Sequence, residues 1–184
     1  MRVGIAHHLG WAIAVTASAD HLVVDRRRIE LVEPGVATAP VHHEGKPLDD
    51  AGAAALVSAV RASSLRAAAA ELDRLAADVG QPIASLSLRA WPADFPTDIT
   101  VLRSVPYEAR ADSVMYREVL ADVARERGWA VHTFDANTIE RDAEAQLGAR
   151  AHDVLHGPRD RLGPPWSKDH RIALAATVLA AVRG

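Results

Sequence analysis

The segment from Arg2 to Val32 limits what this chain can become. Val3 and Ile5, and then Trp11, Ile13 and Val15, alternate with the small residues Gly4, Ala12 and Ala14, the period of a pleated strand rather than a helix. After Ser18-Ala19-Asp20, which fits a hairpin turn, His21-Leu22-Val23-Val24-Asp25 and Ile29-Glu30-Leu31-Val32 continue the pattern. Two or three antiparallel strands are expected, with Gly4 and Gly10 as bulge or turn points. Arg26, Arg27 and Arg28 interrupt the second half, and a pleat places Arg26 and Arg28 on one face and Arg27 on the other. Such a strand reads as a charged sheet edge, or as a small phosphate-gripping patch.

Downstream segments look built to cover that sheet. Glu33-Pro34-Gly35 ends the strand pattern, and adjacent His42 and His43 on an extended loop point apart, which disfavours shared metal binding. Asp49-Asp50 offers an N-cap for a long Ala-rich helix that stops at Gly80. Its stripe of Leu56, Val60, Leu65, Ala68, Leu72, Leu75 and Val79 faces the sheet. Pro82–Arg89 alternates as the next strand and runs into the loop Trp91-Pro92-Ala93-Asp94-Phe95-Pro96, where Asp94 is either a turn cap or a site residue.

A helix is expected from Ser104-Val105-Pro106 to Gly128. Tyr107, Ala111, Val114, Val119, Leu120 and Val123 would face inward, and Glu108, Arg110, Asp112, Arg117, Glu118, Arg125 and Glu126 outward. Trp129–Phe134 forms a further strand, and the alternation of strand and helix implies parallel crossovers. A helix broken near Gly148 follows, carrying His152 and His156 at the i, i+4 spacing that either holds a metal or complements a helix C-terminus. Gly157–Pro165 reads as a rigid loop before a last helix, with Ser167 as N-cap, Asp169 in its first turn, and Ile172, Ala176, Leu179 and Val182 as its buried stripe.

Composition narrows the function classes. A chain of 184 residues with 49% hydrophobic and 24% charged residues fits one globular domain spanning 1–184. A net charge of -3 exerts no global pull on nucleic acid, so any polyanion site is local. The absence of cysteine excludes thiolate zinc sites and cysteine nucleophiles. Neither a secretory signal pattern nor a membrane-length apolar run is visible, so a cytoplasmic protein without membrane contact is expected. A nucleophile elbow, a phosphate-binding Gly-rich loop and a dinucleotide fingerprint are all missing.

The order of elements, with Val3-Gly4-Ile5-Ala6 and Gly10–Val15 at one end and Lys168-Asp169-His170-Arg171-Ile172-Ala173-Leu174-Ala175-Ala176 at the other, resembles the ribonuclease H-like α/β fold. That scaffold is shared by ribonuclease H, Holliday junction resolvases and transposases. The resemblance implies a mixed central sheet flanked by helices and two-metal phosphodiester hydrolysis by clustered carboxylates. It places an acid in the middle of the first strand, where this chain has Ala6 followed by His7, and another near Arg89 or Ala90. Asp169 alone matches its expected position.

Three readings follow. The domain keeps the scaffold without its metal site and binds a nucleic acid or protein partner, with Arg26, Arg27, Arg28 and Lys168 as candidate phosphate contacts. Alternatively, it is a metal-dependent phosphodiesterase whose ligands are His7, Asp94 and Asp169, a mixed set that suits Mn or Zn better than Mg. In the third, it is an α/β enzyme acting on a small molecule, with His170 or His7 as acid or base in a deep pocket lacking a basic rim. The long Ala-rich helix could also pair with a copy of itself in a homodimer.

Overall fold

The computed structural model describes residues 1–181, so Val182 lies outside the described residues. Strands β1 (Arg2–His7), β2 (Trp11–Ala17) and β3 (Val23–Glu30) form the expected antiparallel meander. Gly10, at φ 78°, makes the first turn, and the second closes through Ser18 N–H donating to the Leu22 carbonyl at 2.9 Å. The irregularity in this meander falls at Thr16 and Ala17 rather than at Gly4. Gly4 answers a different need: a Cβ there would collide with the backbone carbonyl of Ala173 in the last helix.

Strands β4 (Ser85–Arg89) and β5 (Ala130–Phe134) run parallel to β1, giving the sheet order β3-β2-β1-β4-β5. Pro82 and Ile83 only lead into β4, whose ladder begins at Ser85 opposite Arg2. The helices are α1 (Asp50–Val79), α2 (Ile99–Leu102), α3 (Glu108–Glu126), α4 (Ile139–Leu147), α5 (Ala151–Leu155), α6 (Pro158–Leu162) and α7 (Lys168–Ala180). The Asp49 carboxylate accepts from Gly52 N–H at 2.7 Å to start α1, and Gly80, at φ 63°, stops it. Helices α2 and α6 were not expected. Asp98 caps the first by accepting from Val101 N–H at 3.1 Å, and Pro158 supplies a helical φ at the start of the second.

Helices α1 and α3 cover one face of the sheet, where Leu72, Leu75, Tyr116 and Leu120 join Val3, Ile5, Leu86 and Leu88. Helix α7, backed by α4, covers the other with Ala173, Leu174 and Ala176 against Ala6, Ile13 and Val15. Each such large side chain contributes roughly 1.5–3 kcal/mol when fully buried.

The outward face assigned to α3 is only partly solvated. Asp112 is 3% exposed and Arg117 6%. The helix is enclosed by the sheet, by α1 and by the connection after β3. Asp112 accepts there from the N–H groups of Val41 and His42, at 2.9 and 3.0 Å, and the Tyr116 hydroxyl donates to the Thr38 carbonyl.

Candidate functional site

Because β1, β4 and β5 are parallel, their carboxyl ends emerge at one edge of the sheet, the usual place for chemistry in open α/β folds. A cleft of about 270 Å³ opens there, lined by His7, His8, Arg89, Phe134 and Asp169.

Alternation along β1 sends His7 toward α3 and His8 toward α7. Arg117 donates its Nε–H to His7 Nε2 at 3.1 Å and an Nη1–H to the Ala90 carbonyl at 3.2 Å. Burial first, and then the neighbouring Arg117, pull the His7 imidazole down to about 3, so it is neutral at physiological pH. Burial also pulls Arg117 down to about 10, helped by the like charges of Arg89 and Arg110. On the other side, His8 Nε2 lies 3.0 Å from Asp169 Oδ2, and the His8 ring stacks on Trp11 with centroids 4.1 Å apart.

The structure brings His7 and Asp169 into one cleft and leaves the other candidates elsewhere. Asp94 sits exposed on its loop and does not line the cleft. His170 is 4% exposed and accepts from the Ser167 backbone N–H at 3.2 Å through Nδ1, so it serves as a cap for α7. Arg26 donates to the carbonyls of Leu162, Gly163 and Pro165. Arg27 is paired with Asp25 and Asp78, while Arg28 pairs with Glu30 and lies over the Trp11 ring. The pleat splits these arginines as expected, on an edge strand, and they form no common patch. Lys168 is exposed at the start of α7. His152 stacks on His156 and His42 meets His43 edge-on. No group of three or more His, Asp or Glu side chains able to hold a metal occurs among the described residues.

The sequence matches no protein-family model and no curated protein. Among solved structures, T. thermophilus RuvC in complex with Holliday junction substrate superposes over 99% of this chain and 93% of that one, with a TM-score of 0.51 at 11% identity. The fold is ribonuclease H-like. A second structure of Thermus thermophilus RuvC covers 99% and 94% of the two chains at 12% identity, with a TM-score of 0.47.

A ribonuclease H-like metal centre needs hard oxygen donors around two cations. The donors present do not fit one. Ala6 has no ligand atom, the Nε2 lone pair of His7 is occupied by the Arg117 N–H, and Asp169 is engaged with His8. Arg89 lines the cleft and Arg117 stands behind His7, so positive charge borders any cation placed there. Of these groups, Arg117 was the one sequence reasoning placed wrongly. Its spacing from Leu120, Ala121 and Ala124 sets it on the inward stripe, a signal outweighed by the habit of assigning arginine to solvent.

Proposed function

We propose that this domain binds nucleic acid on a ribonuclease H-like scaffold and does not carry out metal-dependent phosphodiester hydrolysis. The observation that carries the reading is the Arg117–His7 hydrogen bond of 3.1 Å, which fills the strand-end position with a cation and consumes the imidazole's ligand electron pair. A cleft that holds the guanidinium of Arg89 beside His7, and whose one carboxylate, Asp169, is engaged with His8, suits phosphate better than a metal. The RuvC neighbour whose chain superposes on this one was solved with a Holliday junction substrate, which makes branched DNA the first ligand to try.

The test is fluorescence anisotropy with a labelled four-way junction, a plain duplex and an RNA–DNA hybrid, followed by incubation with Mg or Mn. Binding that weakens steeply with salt, and no strand cleavage, is the expected result. Metal-stimulated cleavage abolished by Asp169→Asn overturns the reading.

A further inference from the structure

Many arginines of this protein lie against carboxylates. Arg61 reaches Glu118 and Asp122, Arg66 reaches Glu33, Arg103 reaches Asp50, Arg127 reaches Asp73 and Arg171 reaches Glu140. The arginines around the strand-end cleft do not, and neither do Arg2 and Arg26, which donate to backbone carbonyls instead. The Arg89 side chain has no hydrogen-bond or ion-pair partner among the described residues, and the Arg117 side chain donates only to a neutral imidazole and a backbone carbonyl. Arg110, the third guanidinium of the group, lies over the Phe95 ring.

A guanidinium that is 6% exposed and lacks a counter-ion is costly in a protein interior. The cost is offset where an anion arrives. The carboxylates closest to the cleft do not supply one: Asp169 is matched with His8, and Asp135, beyond Phe134, caps its own turn through Asn137 N–H at 2.8 Å.

We propose that the cleft between Arg89, His7 and His8, with Arg117 behind His7, is a binding site for a single phosphate group of a nucleic acid strand. Arg89 sits exposed at the cleft rim, as the residue that makes first contact must. Its planar fork grips two phosphate oxygens, and buried Arg117 orients the His7 ring by fixing which nitrogen carries the proton. With Nε2 accepting from Arg117, His7 carries its proton on Nδ1 and stays neutral, so this imidazole adds no positive charge to the site. A volume of about 270 Å³ accommodates a phosphate with its attached sugar. This site rests on the nucleic-acid reading above and specifies which group of the ligand the protein holds.

The experiment is calorimetric titration of the full chain with inorganic phosphate, and with a short single strand bearing or lacking a 5′-phosphate. Each titration is run on the natural sequence, on Arg89→Gln and on Arg89→Lys; Arg89 is chosen because its exposure makes misfolding of the variants a minor concern. Phosphate binding that weakens about tenfold or more in Arg89→Gln, the loss expected for a charge-assisted contact, and partly returns in Arg89→Lys supports the site. Preference for the 5′-phosphorylated strand assigns the group to a strand end, and equal binding assigns it to an internal phosphodiester. No heat with phosphate, or equal binding by Arg89→Gln, overturns the site. Junction binding that Arg89→Gln leaves intact overturns the site alone, whereas Arg89-dependent phosphate binding without any nucleic-acid binding keeps an anion site at the cleft and overturns both its assignment to nucleic acid and the proposed function.

Discussion

Arg117, on α3, and His7, at the end of β1, share a hydrogen bond of 3.1 Å in which the histidine can only accept. A protonated His7 would lose that bond and face a guanidinium. The unfolded chain takes up a proton near 6.5, while the folded protein resists until about 3. Between those values the unfolded state binds the extra proton, so stability is complete above 6.5 and falls as pH decreases. This group contributes a slope of up to about 1.4 kcal/mol per pH unit. Urea unfolding at pH 7, 6 and 5 is expected to show that slope, and His7→Gln, which offers an acceptor without titrating, is expected to flatten it. An unchanged slope in the variant removes His7 as its source.

Gly4 and Ala173 set how closely α7 can lie on β1. The clash for an added Cβ is with backbone carbonyl, which cannot rotate away. Gly4→Ala therefore forces the helix off the sheet along a row that includes Ala6, Ile13 and Leu174, and is expected to cost about 3 kcal/mol, the upper end for overpacking. Thermal unfolding checks it. Because α7 carries Asp169, the same variant is expected to lengthen the His8–Asp169 contact, visible as a shift of the His8 ring signals by NMR.

Asp112 is a structural carboxylate. Burial raises its pKa even though two N–H groups favour the charged form. Asp112→Ala leaves the Val41 and His42 N–H groups without their acceptor, for an expected loss of roughly 2–4 kcal/mol. Faster hydrogen exchange at Val41 and His42, measured alongside urea unfolding, separates release of this connection from a general loss of α3.

The legible parts of the fold were those where one residue type has one physical meaning. Alternation of Val3, Ile5, Ile13 and Val15 has no helical alternative, and Asp49 and Gly80 bracket α1 because a carboxylate cap and a left-handed residue are local needs. Short α2 and α6 escaped because a single turn leaves no period to read, although Asp98 and Pro158 were signals of their starts. Ala6 and Arg89 could be recognised as unable to hold a metal, which is a matter of side-chain chemistry alone. The Arg117–His7 contact could not, since it joins residues 110 apart and depends on how α3 is rotated against the sheet.

That rotation places a guanidinium beside the end of β1. A divalent ion placed in the strand-end cleft would meet the Arg89 side chain, with Arg117 behind His7, and like charges oppose its binding. Breaking the His8–Asp169 contact would free one carboxylate, too few donors for Mg or Mn to exchange their water shells. Calorimetric titration with Mn and with Mg is therefore expected to give only heat of dilution, for the natural sequence, for Asp169→Asn and for His8→Ala alike. Heat in the natural sequence that vanishes in Asp169→Asn would mean that Asp169 leaves His8 to gather a cation, and that the arginines at the cleft do not set its preference.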